Sequence, residues 1–354
     1  MLNPREYCFG CMQPLPEPDA KCPCCGWDNS QRKNAPEQLP FALLAKKYIV
    51  GRALGRGGFG ITYVGLNEQL GRRVAIKEYY PEDIAARGQD SIHVIPSSPE
   101  FKPQLQEGMR KALEEARTIA HVQSIPHVVR IFDCFGRNDT VYIVMEFIEG
   151  ETLRERVEKK GGMSWKDAWA VMKPIGTALG VLHRQKLIHR DISPDNIMIS
   201  HEDGTSVLLD FGASSSMFQE GEKHDRLLKD GYAAFEQYQE CGQIDGRSDE
   251  YAWAATFLYT LTGKNPPNAV QRQFQDETII WKHLKRDVPS SAKEALMKAM
   301  AVNPEERFDS MELLIEAIDE SVAEPAHGRG FLIAAAVTSA AVAAGSVAIG
   351  LLGG

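Results

Sequence analysis

"HRDISPDN", residues 189–196, is the most informative stretch of this sequence. It places a carboxylate at Asp191 and an amide at Asn196, with a hydroxyl at Ser193 between them. Carboxylate and amide oxygens are hard ligands of the kind that Mg²⁺ prefers. The loop therefore raises the question whether it takes part in phosphate transfer. The answer depends on whether the rest of the chain contains the other residues that this reaction needs.

The composition is that of a folded globular protein. The 354 residues allow one large or two ordinary domains with small appendages, and hydrophobic and charged residues make up 43% and 25%. The formal net charge is −8, and no local stripe of lysine and arginine offsets it. Nucleic-acid phosphates require such a positive surface, so we expect no nucleic-acid partner.

A glycine-rich stretch, "LGRGGFGITYVG", places Gly55, Gly57 and Gly60 in G-x-G-x-x-G spacing. The same spacing opens dinucleotide-binding units, but there a helix follows the glycines. Here residues 61–64 are β-formers, which favours a hairpin of two strands. Backbone N–H groups approach phosphates closely only where no Cβ intrudes, so the stretch predicts a hairpin that covers a nucleotide.

The next predicted strand, "RRVAIKEYY", carries Lys77 within an apolar run. A buried ammonium needs a charged partner, which phosphate oxygens and a carboxylate from the following helix would supply. That helix is "QLQEGMRKALEEARTIAHV", in which Glu115 is the best-placed acid and Glu114 the alternative. The other interpretation of Lys77 is a solvated lysine on an edge strand.

Five motifs occur in the order and approximate spacing of one family: "GRGGFG", "VAIK", "HRD" with Asn196, "DFG" at 210–212, and "SDEYAWAATFLYTLTG". Over residues 48–321 the chain resembles the bacterial eukaryotic-like serine/threonine protein kinases. The resemblance implies an α+β fold of two lobes, a small β-rich N-lobe and a larger helical C-lobe. It also implies ATP and Mg²⁺ as cofactors and proteins as substrates.

The resemblance implies a role for each matching residue. Asp191 would accept the proton of a substrate hydroxyl, and Asn196 and Asp210 would hold the magnesium ions. Lys77 would bind the α- and β-phosphates while Glu115 holds Lys77 in place. The nucleotide would be contacted by Leu54, Gly55, Gly57, Gly58, Gly60, Thr62, Ala75, Lys77, Met145, Glu146 and Ile148, with Met145 as gatekeeper and residues 146–148 as the hinge.

Two further matches are structural. Asp249, in a strongly apolar helix, resembles the family's buried aspartate that accepts hydrogen bonds from the catalytic-loop backbone. Glu236 and Arg307 match the family's buried ion pair in the large lobe, although Arg307 could instead lie on the surface.

Two of the chain's departures from the family concern the charge at the catalytic loop. Ser193 stands where a lysine usually contacts the γ-phosphate, and in "LKDGY" Lys229 stands where the family has a threonine. We hypothesise that Lys229 reaches Asp191 and the γ-phosphate and restores the missing charge, the alternative being a solvent-facing lysine. A pseudokinase scaffold that binds nucleotide without turnover is the runner-up function, and a small-molecule phosphotransferase is the third.

The start of the chain, residues 1–30, is rich in cysteine. Cys8-x-x-Cys11 and Cys22-x-x-Cys25 form two knuckles that predict a structural Zn²⁺ site of zinc-ribbon type, with Cys24 as an alternative ligand. "MLNPREYCFG" is unlike a signal peptide and ATP chemistry belongs in the reducing cytosol, so we favour zinc over disulfides. A rubredoxin-type iron site is the minor alternative, and a protein partner could bind this module.

The other end of the chain is apolar. After linkers at 31–47 and 322–330, the segment 331–352 has 22 uncharged residues, about 33 Å as a helix, enough to cross a bilayer once. We expect it to tether a cytoplasmic kinase to the cell membrane, the alternative being an apolar helix docked on the kinase or on another subunit. Ala341 and Gly345 have a spacing that could pack two such helices into a homodimer.

Overall fold

The computed structural model describes residues 3–31, 35–36, 38–121, 125–210, 228–239, 242–274, 281, 283–284 and 287–323. They form a small lobe built on a β-sheet and a larger lobe built mainly of helices. This is the predicted two-lobed α+β arrangement.

The small lobe contains β1 (Ala42–Leu44), β2 (Tyr48–Gly57), β3 (Gly60–Asn67), β4 (Arg72–Tyr79), β5 (Ala85–Arg87), β6 (Val94–Pro96), α1 (Lys102–His121), β7 (Ile131–Arg137) and β8 (Thr140–Glu146). Six of the strands form an antiparallel sheet in the order β1-β2-β3-β4-β8-β7, and β5 and β6 form a separate hairpin. β1 falls within the segment 31–47 that the sequence assigns to a linker. Its pairing with β2 makes it part of the sheet.

Helix α1 packs on this sheet through one face. Leu105, Ala112, Ala116 and Ile119 recur at helical spacing and are all buried. The solvent face carries charged pairs such as Glu107–Arg110. The amphipathic pattern therefore fixes the rotation of α1, and with it the direction in which Glu115 points.

The larger lobe contains β9 (Gly150–Thr152), α2 (Leu153–Lys160), α3 (Trp165–Arg184), β10 (Ile197–Ser200), β11 (Ser206–Leu208), α4 (Gly246–Thr262), α5 (Ala269–Arg272), α6 (Ser290–Ala299) and α7 (Met311–Ala323). Helix α4 is buried at every residue from 248 to 261, because most of its residues are apolar and they occur on all of its sides. Phe257 of α4 stacks on Trp165 and Trp169 of α3 at 5.4 and 5.8 Å. These two helices form the frame that carries the catalytic loop.

The cysteine-rich start packs against the small lobe. Met12 is buried in a cluster with Ile49, Val64 and Leu66. The backbone N–H of Arg52 donates to the carbonyl of Phe9 at 3.0 Å. Gly51 makes this contact possible, because a Cβ added there would lie 2.1 Å from the Met12 methyl group. The module is therefore joined to β2 and β3 by both packing and hydrogen bonds.

Within the described ranges, no helix combines the length and the apolar character needed to cross a membrane. Residues 331–352, the predicted membrane span, lie outside those ranges. Phe211 and Gly212 of the "DFG" run also lie outside them.

Candidate active site

The glycine-rich stretch forms the predicted hairpin between β2 and β3, in which Gly57 pairs with Gly60 across a turn that contains Gly58. Gly60 must lack a side chain, because an added Cβ would lie 2.3 Å from the carbonyl oxygen of Glu78 on β4. At Gly55 and Gly57 an added Cβ would meet no atom within 4 Å. Gly60 is thus required by the sheet itself, and the other two leave open the space in which a phosphate would meet the backbone.

Lys77 lies in the middle of the sheet, on β4, opposite Thr62 of β3 and Ile143 of β8. Its side chain is only 12% exposed, unlike that of a solvated lysine on an edge strand. The ammonium donates to Oδ1 of Asp210, which follows β11 in the larger lobe. This ion pair links the two lobes and brings together the predicted phosphate-binding and metal-binding side chains.

Glu115 lies on α1 and faces the same cavity as Lys77 and Asp210. Within the described part of the chain it forms no ion pair, and its Oε1 is buried without a hydrogen-bond partner. Burial raises the pKa of this carboxyl to about 9, against the opposing effect of the Lys77 charge. Glu114 pairs instead with Arg110 on the solvent side of α1, at 2.7 Å. The structure brings Glu115 to the site, and its pairing with Lys77 stays a prediction.

The catalytic loop orients Asp191 and Asn196 towards each other. The Asn196 amide nitrogen donates to the backbone carbonyl and to Oδ2 of Asp191, both at 2.7 Å. The Asn196 Oδ1 accepts no hydrogen bond from the described residues, so it can bind a cation. Burial raises the pKa of Asp191, and the charge of nearby Lys229 opposes that rise. A carboxylate with a higher proton affinity is better suited to accept a proton.

Asp249 holds this loop in place. Its carboxylate accepts hydrogen bonds from the backbone N–H groups of His189 and Arg190, each at 2.8 Å. The His183 ring contacts the same carboxylate at 2.8 Å, and the pKa of Asp249 lies below its ordinary value despite complete burial. Arg190 has a φ of 65°, a conformation that non-glycine residues adopt only when their surroundings impose it. The predicted structural role of Asp249 is confirmed by these bonds.

Glu236 and Arg307 form the predicted buried ion pair. The two guanidinium nitrogens lie 2.7 and 2.9 Å from the two carboxylate oxygens. The Ser248 hydroxyl donates to the same carboxylate at 2.6 Å. Since Arg307 is 4% exposed, the surface alternative for this residue is wrong.

Lys229 lies beside the catalytic loop. Its Nζ donates to the Ser193 hydroxyl at 2.8 Å and is 3.5 Å from Oδ1 of Asp191. The side chain is 32% exposed. The two positions at which the sequence departs from the family are therefore in direct contact.

The residues predicted to contact adenine lie around the end of β8. Met145 is opposite Ala75 of β4, and both are buried in one apolar cluster with Val129. Glu146 ends the strand, and the backbone N–H of Ile148, two residues further on, has no hydrogen-bond partner among the described residues. The remaining predicted contacts, Leu54 and Thr62, lie on the β2–β3 hairpin and are at least partly exposed.

The four predicted zinc ligands cluster. All four sulfur atoms lie within 4.8 Å of one another, with 3.6 Å between Cys8 and Cys25 and 3.7 Å between Cys11 and Cys22. Four sulfurs in tetrahedral bonds of about 2.3 Å to zinc are about 3.8 Å apart, so the cluster fits this ion. Burial alone would raise the pKa of Cys22, but hydrogen bonds from the backbone N–H groups of Cys25 and Cys24 and from the neighbouring thiols lower it to about 7. Cys24 is exposed and outside the cluster.

Sequence reasoning missed a buried ion pair beside Lys77. The Glu78 carboxylate is fully buried and accepts two bonds from the guanidinium of Arg87 on β5, at 2.8 and 2.6 Å. The hydroxyls of Tyr63 and Tyr142 donate to the same carboxylate, both at 2.9 Å. The signal in the sequence that could have revealed this pair is Glu78, a second charged residue directly after Lys77 in an apolar strand. The pair ties the β5–β6 hairpin to the strand that carries Lys77.

Comparison with known proteins identifies the family. A model of the protein kinase domain matches residues 48–317, more than half of the chain. The chain belongs to the protein kinase family. The predicted membership of the protein kinase family is thereby confirmed, and the motif residues of the candidate site all lie within the matched range.

The curated relatives of this kinase include three bacterial enzymes. Serine/threonine-protein kinase PknA of Nostoc sp. is 29% identical over 290 residues, 79% of this chain and 48% of its own. PrkC of Bacillus subtilis is 28% identical, over 76% of this chain and 39% of its own. The probable serine/threonine-protein kinase PknB of Bifidobacterium longum is 30% identical, with the same coverage. The chain thus spans half or less of the length of these relatives, which are of the predicted enzyme class.

Solved structures agree on the fold. The structure described as "PpkA-294 apo form" superposes with a TM-score of 0.68 at 29% identity, covering 80% of this chain and 99% of that one. Rad53 in complex with AMP-PNP is 19% identical with a TM-score of 0.57, which supports the fold alone.

Proposed function

We propose that this kinase transfers the γ-phosphoryl group of ATP to serine or threonine hydroxyls of proteins. The observation that carries the proposal is the convergence of four side chains from both lobes. Lys77 is paired with Asp210, and Asn196 is hydrogen-bonded to Asp191. A scaffold without catalysis has no need of the complete set.

The residues present fit Mg²⁺ and ATP. Asn196 Oδ1 and the Asp210 carboxylate are the hard oxygen donors that would hold Mg²⁺. When bound, this ion would neutralise part of the negative charge of the phosphates. Gly55 and Gly57 would admit the phosphates to the backbone of the hairpin. Met145, Ala75 and the Ile148 N–H would form the apolar and polar contacts of adenine.

In the proposed reaction Asp191 orients the substrate hydroxyl and accepts its proton, while Asn196 keeps the carboxylate in position. Lys77 binds the α- and β-phosphates from the centre of the sheet. The unpartnered, buried oxygen of Glu115 supports the further proposal that Glu115 pairs with Lys77 during the reaction, because a buried carboxylate without a partner is costly.

The test uses the purified full chain, labelled Mg-ATP and a general protein acceptor, with Asp191→Asn as the matched variant. We expect label on phosphoserine or phosphothreonine, and a rate about 10²- to 10⁴-fold lower in the variant. Nucleotide binding without transfer by the wild type would favour the pseudokinase. Transfer to small alcohols but not to protein would favour the small-molecule phosphotransferase.

We also propose a structural Zn²⁺ held by Cys8, Cys11, Cys22 and Cys25, on the basis of their sulfur separations. Elemental analysis of the full chain should find one zinc per chain. Cys11→Ser should reduce the zinc content, because Cys11 is one of the four clustered cysteines. Cys24→Ser should leave it unchanged, because Cys24 lies outside the cluster. Iron in place of zinc, or full metal content in Cys11→Ser, would contradict the assignment.

For residues 331–352 we propose a single-pass anchor that leaves the kinase domain in the cytoplasm. Their 22 uncharged residues support it. Membrane fractions of cells that produce the full chain should contain the protein. A variant without 331–352 should move to the soluble fraction, and an unchanged distribution would contradict the anchor.

A further inference from the structure

We propose that Lys229 is a catalytic residue that supplies, from outside the catalytic loop, the positive charge at the γ-phosphate that Ser193 cannot. The inference rests on the proposed phosphotransfer function and assigns one of its charges. It differs from the usual arrangement of the family, in which the catalytic loop itself carries this lysine.

The first observation is contact. Lys229 Nζ lies 2.8 Å from the Ser193 hydroxyl, 3.5 Å from Asp191 Oδ1 and 4.0 Å from Asp195 Oδ2. Ser193 is fully buried. The ammonium therefore lies against the side chain of residue 193, where the family usually has its lysine, and next to the carboxylate proposed to meet the substrate hydroxyl.

The second observation is that the backbone of Lys229 is held in place. Its carbonyl accepts hydrogen bonds from the N–H groups of Tyr232 and Ala233, both at 3.0 Å. Gly231, two residues on, has a φ of +85°, and a Cβ there would lie 2.4 Å from the carbonyl oxygen of Pro266. This close approach of Gly231 to Pro266 joins the turn to the larger lobe. A lysine left on the surface by chance has no need of such support.

The third observation concerns the other cations. Lys77 is engaged with Asp210, and Arg154 pairs with Asp195 at 2.7 Å. Within the described part of the chain, Lys229 is the cation that pairs with Asp191. Phosphoryl transfer depends on positioned positive charge, since the transferring group itself is anionic. The long, flexible stem of lysine allows this charge to come from another element.

The role requires no change in the chemistry. The substrate hydroxyl oxygen bonds to the γ-phosphorus while the bond to the bridging oxygen of the β-phosphate breaks, and ADP leaves with that electron pair. Asp191 takes the hydroxyl proton. Lys229 keeps its own proton and stabilises the negative charge on the γ-phosphoryl oxygens.

One consequence is that the transfer activity would depend on the position of the turn that carries Lys229. Because the charge belongs to the turn at residues 229–232, any displacement of this turn removes a catalytic group. In a kinase with the lysine at 193, the charge would stay with the loop.

The experiment measures kcat, KM for ATP and Tm of the full chain for the wild type, Lys229→Thr, Lys229→Met, Ser193→Lys and the Ser193→Lys/Lys229→Thr double variant. Lys264→Ala, an exposed lysine of the same lobe, is the control. We expect kcat to fall about 10²-fold or more in both Lys229 variants, by analogy with the loss of one charge-stabilising donor, while Tm stays near the wild-type value.

The double variant distinguishes catalysis from folding. It restores the family's usual pair, so we expect it to recover most of kcat. Ser193→Lys alone should lose activity, because two ammonium groups would compete for the same position beside Asp191. If Lys229→Thr fails to fold, Lys229→Met, which keeps most of the stem, provides the same measurement.

The inference is overturned if both Lys229 variants stay within a few-fold of an active wild type, or if the double variant is no faster than Lys229→Thr. A wild type that transfers no more phosphate than Asp191→Asn would instead refute the proposed function, and this inference with it. The two failures are thus distinguishable.

Discussion

Two arginines show how burial sets the value of a charge in this protein. Arg307 forms two bonds to Glu236 with almost no exposed surface. Arg247 also pairs with two carboxylates, Glu305 and Asp309, but these are 74% and 82% exposed. Water competes for the ion pairs of Arg247 but not for the ion pair of Arg307. The two arginines therefore contribute unequally to the stability of the fold.

We predict that Arg307→Met lowers the free energy of unfolding by about 3–5 kcal/mol, because it leaves the Glu236 carboxylate buried without its cation. The matched variant Arg247→Met should cost about 1 kcal/mol or less. Urea unfolding of the full chain measures both. Equal losses in the two variants would contradict this view of the ion pair.

Glu115 gives the protein a pH dependence of defined sign. Its ordinary pKa of 4.5 is raised to about 9 by burial, so between these values the folded protein binds more protons than the unfolded chain. The free energy of unfolding must then fall as pH rises through this interval. We predict that Glu115→Gln makes the fall of Tm between about pH 5 and pH 9 shallower in the nucleotide-free protein.

Glu114→Gln is the control for that series, because Glu114 lies on the solvent side of the same helix and pairs with Arg110. Its Tm profile should have the slope of the wild type. Identical slopes for Glu115→Gln and the wild type would show that the Glu115 carboxyl is not held protonated.

At the scale of elements, the β2–β3 hairpin combines two kinds of glycine. Gly60 is required because β3 and β4 approach closely, with Glu78 O in the place of a Cβ. Gly57 faces open space on the other strand of the hairpin. Within one sequence motif, Gly60 is therefore required by the packing of the sheet, and Gly57 is required by the space that the bound phosphates need.

We predict that Gly60→Ala destabilises the protein by about 1–3 kcal/mol, the usual cost of forcing extra volume into a packed site. Gly57→Ala should leave Tm near the wild-type value and raise KM for ATP, because its Cβ would intrude only on bound phosphates. Thermal unfolding without nucleotide, together with ATP kinetics, separates the two. A Gly57→Ala protein as unstable as Gly60→Ala would contradict the distinction.

At the scale of the whole molecule, the cysteine module and the kinase lobe share one packed interface. Met12 lies in the cluster with Ile49 and Val64, and Arg52 hydrogen-bonds to the module through its backbone and its side chain. Phe147 of the hinge segment packs against the same cluster. Loss of the metal should therefore destabilise β2 and β3, the strands that carry part of the proposed nucleotide site.

We predict that removal of the proposed zinc lowers the Tm of the kinase domain, since a short cysteine-rich segment needs its metal to fold and Met12 is buried only while that segment is folded. Scanning calorimetry before and after chelation provides the measurement. Cys11→Ser should reproduce the loss and Cys24→Ser should not. An unchanged Tm after complete removal of the metal would show that the interface does not depend on it.

Much of the site follows from local sequence. The β-hairpin, the lysine strand and the helix with Glu115 are predicted because each depends on residues close in the chain, on glycine spacing or on periodicity. The four cysteines are recognisable for the same reason, since two short turns contain all of them. The two-lobed fold and the family follow from the order of five such motifs.

Tertiary structure alone decided several contacts between residues that are distant in the chain. Lys77 is paired with Asp210 across the two lobes, Glu78 binds Arg87 of the β5–β6 hairpin, and Lys229 contacts Ser193. A buried charge is satisfied by whichever partner the packing of helices and strands brings within about 3 Å, and that distance depends on every element between them. Local pattern in the sequence predicts which residues carry charge, and only the folded chain sets their separations.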